Sequence, residues 1–185
     1  TAETIALVGA KPVFVDINPR TFNIDYKKII NAITKKTKAV MPVHIFGQIS
    51  DIIEIKKICK KYNLKLIEDC AQSFGAKKNK LYAGTFGDFG CFSFFPTKNL
   101  GCAGDGGMIV TNNSQNMSLL KQLRNHGGIV RNIHNYIGYN SRLDEIQASI
   151  LLIKLKHINR FNANRRKIAN LYKSQIKNNK IITPY

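Results

Sequence analysis

"KAVMPVHIFGQISDIIEIKKICKKYNLKLIEDC", residues 38–70, is the stretch that decides the fold. It opens and closes on short β-rich segments, and the intervening residues 50–63 place one apolar face at helical spacing: Ile52, Ile55, Cys59 and Tyr62. Asp51 and Glu54 have the spacing of a capping box at the start of this helix. A strand, a helix and a strand with tight connections predict a right-handed βαβ crossover and hence a parallel sheet.

The segments on either side continue the same alternation. Upstream, residues 11–17 predict a strand, and residues 23–36 predict a helix with Asp25 as its cap. Downstream, residues 88–95 and 106–112 predict two more strands. The chain is therefore expected to form an α/β domain with a mostly parallel sheet flanked by helices.

The last third of the chain is predicted to be helical. "MSLLKQLRNHG", residues 117–127, reads as a helix that its final glycine could close. Residues 141–176 contain no proline or glycine and predict one long helix, bent near Phe161, that leads towards a second domain. We expect the large α/β domain at 1–157, and the connecting helix and the start of an incomplete C-terminal domain at 158–185.

Composition indicates a soluble globular protein, with 44% hydrophobic and 22% charged residues. The formal charge of +18 raises the possibility of nucleic-acid binding. The lysines, however, are spread over helical segments without the interleaved aromatics that a stacking platform needs, so we interpret them as solvated helix faces. Nucleic acid is therefore not an expected partner.

Cysteine spacing and hydropathy indicate the compartment. The four cysteines form no CxxC pair and have no histidine at metal spacing, which predicts reduced thiols and no metal site. No apolar run approaches the ~20 residues of a membrane span, and no signal peptide is visible. We expect a cytoplasmic protein without a membrane partner, and the start at Thr1 suggests a fragment of a longer chain.

Polar residues lie at the carboxyl ends of three predicted strands. Asp69 lies at the end of one strand, Ser93 and Lys98 lie at the end of another, and His44 and Gln48 lie at the end of a third. Ligands of open parallel sheets bind at the carboxyl ends of the strands. There, a lysine among apolar residues is partly desolvated, which favours the neutral, nucleophilic amine. A lysine, an acid and a hydroxyl suit pyridoxal 5'-phosphate, although Asp69 alone could equally be a helix cap or a surface acid.

Several motifs, taken in order, resemble the DegT/DnrJ/EryC1/StrS family of pyridoxal-phosphate-dependent nucleotide-sugar aminotransferases. They are "TAETIALVGAKPVFVDI" (1–17), "PVHIFGQ" (42–48), "LIEDCAQSFGA" (66–76), "GDFGCFSFFPTKNLGCAGDGGMIVTN" (87–112), "LRNHG" (123–127) and "GYNSRLDEIQASIL" (138–151). The resemblance implies the type I aminotransferase fold, truncated here at both ends. It also implies a homodimer with active sites at the subunit interface.

The resemblance assigns cofactor-binding roles by motif. Lys98 would form the aldimine with pyridoxal 5'-phosphate and then act as the catalytic acid and base. Asp69 would pair with the pyridinium nitrogen, Ala71 would lie against the ring, and Gln72 would bind the ring hydroxyl. Ser93 would contact the phosphate.

Two further residues are implied at the dimer interface. Asn140 would reach the phosphate of the neighbouring subunit's cofactor. Arg142 would approach the sugar nucleotide, although an arginine at a helix start can equally be structural.

The implied activity is transfer of an amino group, with L-glutamate as donor, to a nucleoside-diphosphate-linked keto sugar. The wording of the motifs is closest to members that act on UDP-linked 3-keto sugars. The products of such enzymes enter surface polysaccharides, O-antigens or other glycans.

Other readings stay open at this stage. Relatives that dehydrate a deoxysugar carry histidine in place of the aldimine lysine, so Lys98 argues against that reaction. The phosphate-binding turn and the small domain of complete members are absent from these residues. A non-catalytic, truncated fragment is therefore the alternative.

Overall fold

The computed structural model describes residues 1–184. A 3-10 turn, Ile45–Gly47, follows the first strand. The other elements, in chain order, are α1 (Ala2–Leu7), α2 (Tyr26–Ala32), β1 (Ala39–Val40), α3 (Ile52–Lys61), β2 (Lys65–Asp69), β3 (Lys77–Lys78), β4 (Leu81–Tyr82), β5 (Phe89–Ser93), β6 (Gly107–Val110), α4 (Ser114–Leu123), α5 (Glu145–Leu155) and α6 (Ile158–Gln175).

The main sheet has the strand order β1-β2-β5-β6. β1, β2 and β5 run parallel, and β6 pairs antiparallel with β5. β3 and β4 form a separate hairpin between β2 and β5. The predicted α/β fold with a mostly parallel sheet is therefore confirmed.

The apolar face of α3 forms the centre of the first core cluster. Ile52 and Ile55 are completely buried, and they pack with Ile29 of α2, Val40 of β1 and Leu66 of β2. Burying each such side chain contributes about 1.5–3 kcal/mol. The helix predicted from residues 50–63 is thus confirmed, and its core face fixes the strands that lead to the site.

A second core cluster lies beneath the segment that follows β5. Phe94, Leu100 and Cys102 pack there against Leu151 of α5 and Ile158 of α6. The two C-terminal helices therefore support the stretch that contains Lys98.

Two predicted elements differ in the structure. The strand predicted over 11–17 is wrong: Val13 and Phe14 are 63% and 82% exposed, and only an isolated bridge joins Ile17 to Ile24. A β-rich sequence forms a strand only where a neighbouring strand accepts its hydrogen bonds. The single helix predicted over 141–176 is two helices, α5 and α6, which meet around His157.

The two predicted helix caps have different outcomes. The Asp25 carboxylate accepts a hydrogen bond from the backbone N–H of Lys27, so this cap is confirmed. The capping box is wrong, because Asp51 makes no side-chain cap bond. The Asp51 carboxylate lies 3.7 Å from the Lys78 ammonium instead, and Glu54 pairs with Lys57.

Hydropathy and the cysteines add two observations. Among the helices of residues 1–184, none combines the length and the apolar character needed to cross a bilayer. Cys59, Cys70, Cys91 and Cys102 are all free thiols, as their spacing predicts.

Candidate functional site

Asp69 is the last residue of β2, and hydrogen bonds hold both its backbone and its carboxylate. Its N–H donates to the Pro42 carbonyl at 2.9 Å, and its carbonyl accepts from the His44 N–H at 3.0 Å. Its Oδ1 accepts from the Ala71 N–H at 3.1 Å, and its Oδ2 accepts from the Thr1 hydroxyl at 2.6 Å. The carboxylate is therefore oriented at the carboxyl end of the strand.

Ser93 lies on the same face of the sheet, one strand away. Asp69 is in register with Cys91 of the parallel strand β5. Ser93 is two residues further along β5, about 7 Å beyond Cys91, and residues two apart on a strand share a face. The structure therefore brings the predicted acid and the predicted hydroxyl to one edge of the sheet.

Lys98 lies in the turn that follows β5. Its N–H donates to the Phe95 carbonyl at 2.9 Å, and its side chain is half-buried. The turn passes close to itself at Gly101, where a Cβ atom would lie 2.6 Å from the Pro96 carbonyl oxygen. Only glycine fits this approach. The turn that positions Lys98 therefore requires glycine at position 101.

Two side chains of α5 form hydrogen bonds with the backbone of the segment that contains Lys98. The Gln147 amide oxygen accepts from the Ala103 N–H at 2.8 Å, and the Lys154 ammonium donates to the Gly101 carbonyl. Both contacts join residues more than forty positions apart in the sequence. Spacing alone gives no signal for them, and sequence reasoning missed both.

Asn162 of α6 also forms hydrogen bonds with this segment and with the loop after β2. Asn162 accepts from the Asn99 side-chain amide at 2.9 Å and donates to the Phe74 carbonyl at 3.1 Å. Asn99 directly follows Lys98, so this amide pair ties the lysine turn to the loop after β2.

The remaining predicted site residues lie on the surface near this edge or further along the chain. Ala71 is half-buried and Gln72 is exposed, both directly after the β2 terminus. Asn140 is exposed and forms an isolated backbone bridge with Asn125. The Arg142 guanidinium donates to the Asn125 side-chain oxygen at 2.5 Å, which is a structural contact within the chain.

His44, which the sequence places at a strand end, does not face this site. Its ring is fully buried and its Nε2 lies 3.0 Å from the Glu68 carboxylate, also fully buried. Glu68 accepts three further hydrogen bonds, from the N–H groups of Gly84 at 2.9 Å, Phe86 at 2.7 Å and Gly87 at 2.7 Å. We call His44, Glu68 and these three amides the Glu68 cluster.

The Glu68 cluster is closed by Ser50. The Ser50 N–H donates to His44 Nδ1 at 3.3 Å, and the Ser50 hydroxyl is 3.2 Å from the same nitrogen. An N–H can only donate, so Nδ1 is the acceptor and Nε2 donates to Glu68. Cys70 Sγ also lies close to these groups, and His44, Glu68 and Cys70 have the spacing of metal ligands. A carboxylate offers about four acceptor positions, however, and four donors already occupy those of Glu68, so the carboxylate has none left for a metal ion.

Sequence reasoning missed Glu68, although a signal for it exists. Burial alternates along β2, with Leu66 and Glu68 on the buried face. An acid at a core-facing strand position must find donors inside the protein.

The ionisation of Glu68 predicts acid sensitivity. Burial raises the pKa of its carboxyl, but hydrogen bonds from His44, Gly87 and Gly84 outweigh burial and hold the pKa below 4.5. The unfolded chain then binds the proton more readily, so this stabilisation is present above about pH 4.5 and is lost as pH falls through the lowered pKa. We expect the free energy of unfolding, measured in urea, to fall as the pH drops below about 4.5, and the fall to be shallower in Glu68→Gln. Glu3→Gln, at an exposed carboxylate, should behave as wild type; an equally shallow fall in both variants would contradict this assignment.

Two thiols beside Asp69 are protonated at neutral pH. Burial raises the pKa of Cys70 to about 12, with the Glu68 carboxylate as a further cause. Burial and the Asp69 carboxylate also raise the pKa of Cys91. Cys70 therefore acts as a small apolar residue next to the acid.

Comparisons with known proteins identify relatives of this chain. A 51% identical relative is the "pleiotropic regulatory protein" of Geobacillus stearothermophilus, matched over 93% of this chain and 46% of the relative. A Pseudomonas aeruginosa protein named UDP-2-acetamido-2-deoxy-3-oxo-D-glucuronate aminotransferase is 46% identical over 100% of this chain and 52% of its own length. The crystal structure of NtdA from Bacillus subtilis, with the cofactor PMP bound, superposes with a TM-score of 0.88 at 38% identity, covering 94% of this chain and 40% of that one.

The chain spans about half the length of the curated relatives that it matches. The family model nevertheless matches residues 1–185. With this match, and with the acid, the hydroxyl and the lysine turn on one α/β sheet, the chain belongs to the DegT/DnrJ/EryC1/StrS aminotransferase family.

Proposed function

We propose that the protein containing this chain is a pyridoxal-phosphate-dependent aminotransferase acting on a nucleoside-diphosphate-linked keto sugar. The observation that carries this proposal is the oriented Asp69 carboxylate on the same sheet face as Ser93, with the Lys98 turn directly after that strand. A family match over the whole chain supports it.

The residues at this edge fit the cofactor by their chemistry. Asp69 is held by neutral donors, the Ala71 amide and the Thr1 hydroxyl. Within residues 1–184, no cationic side chain forms an ion pair with it. In a chain of formal charge +18, an oriented carboxylate without a cationic partner is suited to a protonated ring nitrogen.

The other residues take complementary roles. Lys98 would supply the amine that holds the cofactor and would carry a proton at its Nζ. Ser93 would donate its hydroxyl hydrogen to the phosphate, and Ala71 and Gln72 would hold the ring and its hydroxyl. The bound cofactor provides a ring that withdraws electrons from the reacting carbon and carries the amino group between donor and acceptor.

Family membership supports a proposal for the substrate and the assembly. L-Glutamate serves as amino donor and a UDP-linked 3-keto sugar as acceptor, in line with the name of the Pseudomonas aeruginosa relative.

Asn140 and Arg142 serve the neighbouring subunit's site in a homodimer. Residues 1–157 belong to the large domain, and 158–185 lead into the small domain. The enzyme works in the cytoplasm and supplies amino sugars for surface polysaccharide, O-antigen or glycan synthesis.

Turnover of a defined substrate pair tests the proposal. The complete protein that contains this chain is incubated with pyridoxal 5'-phosphate, L-glutamate and a UDP-linked 3-keto sugar. We expect 2-oxoglutarate and the UDP-linked amino sugar in equal amounts. Dehydrated sugar without 2-oxoglutarate would contradict amino transfer. The 185-residue chain, assayed in parallel, shows whether these residues alone are catalytic or are a non-catalytic fragment.

A further inference from the structure

We infer that Glu68 is a positioning residue, which fixes the backbone from which Asp69 addresses the cofactor. The inference rests on the proposed function, since that function makes Asp69 the partner of the ring nitrogen. Glu68 itself lies on the opposite face of β2 from Asp69 and is fully buried.

The Glu68 cluster joins the strand segments on both sides of β2. On one side, the His44 ring donates to Glu68, while the His44 backbone N–H donates to the Asp69 carbonyl. One residue therefore contacts both members of the Glu68–Asp69 pair. Moving the Glu68 carboxylate would release the ring of the residue whose backbone N–H pairs with Asp69.

On the other side, Glu68 holds the loop that leads into β5. Its carboxylate accepts from Gly84, Phe86 and Gly87, which lie immediately before that strand. The loop is also sterically fixed, because a Cβ atom on Gly90 of β5 would lie 2.4 Å from the Gly84 Cα atom. β5 ends at Ser93, so one carboxylate sets the relative position of the strands that carry the acid and the hydroxyl.

The chemistry of the cluster requires an ionised acid at this position. All four groups that face the carboxylate donate hydrogen bonds. Each carboxylate oxygen accepts from two of these donors, so glutamine would place its amide NH₂ against two of them, and a buried donor facing a donor is left without a partner. Glu68→Gln therefore loosens the cluster with little change in side-chain volume.

The experiment compares Glu68→Gln with Ile55→Ala in the complete protein. Ile55 is fully buried in the first core cluster, which also contains Phe86, so its truncation destabilises the fold while all four donors to the Glu68 carboxylate stay in place. The first readout is amide hydrogen exchange in the absence of cofactor, corrected for the measured global stability of each variant. We expect Glu68→Gln to accelerate exchange roughly tenfold at Asp69 and Ala71, as well as in the loop 84–87, and Ile55→Ala to leave the Asp69 and Ala71 amides unchanged.

The second readout is the dissociation constant of pyridoxal 5'-phosphate, followed by its absorbance over a range of pH. We expect a roughly tenfold weaker complex with a shifted pH profile in Glu68→Gln, and neither change in Ile55→Ala. Glu68→Asp keeps the charge but withdraws the carboxylate by one methylene group, and it carries the same test if the glutamine variant does not fold.

The outcomes separate this inference from the proposed function. Equal exchange at Asp69 and Ala71 in the Glu68 and Ile55 variants would overturn the positioning role. A wild-type protein that binds no pyridoxal 5'-phosphate would overturn the proposed function, while the exchange data would still decide whether Glu68 holds Asp69.

Discussion

Lys98→Ala is expected to abolish covalent attachment of pyridoxal 5'-phosphate to the protein. Loss of the only amine in the turn after β5 removes both the attachment point and the proton carrier, so transamination should fall on the order of a thousandfold or more. The measurement is intact mass after incubation with the cofactor and borohydride, followed by peptide mapping.

The control for this experiment is Lys121→Ala, at an exposed lysine of α4. It should retain the full adduct and full activity. An adduct of undiminished yield in Lys98→Ala, or one mapped to another lysine, would show that Lys98 is not the attachment site.

Asp69→Asn is expected to lower kcat by roughly 10²–10³-fold, because a neutral amide no longer stabilises positive charge on the ring nitrogen. The fold should tolerate this change. The new amide oxygen can accept from the Ala71 N–H, and the new NH₂ can donate to the Thr1 hydroxyl oxygen. Steady-state kinetics and the absorbance spectrum of the bound cofactor provide the measurement.

Asp51→Asn is the matched control for the Asp69 variant. Asp51 is an exposed acid that makes no cap bond to α3, so its loss should leave kcat unchanged. If Asp69→Asn retained kcat within about threefold of wild type, another group would have to serve the ring nitrogen.

Local patterns were sufficient wherever the apolar periodicity was strong. Ile52, Ile55 and Cys59 repeat at helical spacing, and they form the buried face of α3 as predicted. The β-rich segment after α3 likewise placed Asp69 at a strand end. These features depend on neighbours within a few residues, which a sequence displays directly.

Patterns failed where a distant partner decides the outcome. Residues 11–17 have β-forming side chains, but no strand of residues 1–184 lies beside them, so they form no strand. Asp51 has the spacing of a cap, yet its carboxylate lies near Lys78. In both cases, the outcome depends on parts of the fold that local spacing does not report.

The sequence by itself determined the α/β class and the order of most elements, and it predicted which acid, hydroxyl and lysine form the site. The tertiary structure alone decided how they are held. It directed His44 away from the site and into the Glu68 cluster, and it brought Thr1 to Asp69 across 68 residues and Gln147 to Ala103 across 44. Periodicity reports which face of an element is buried, whereas hydrogen bonds between remote segments arise only when packing has fixed the strands and helices against one another.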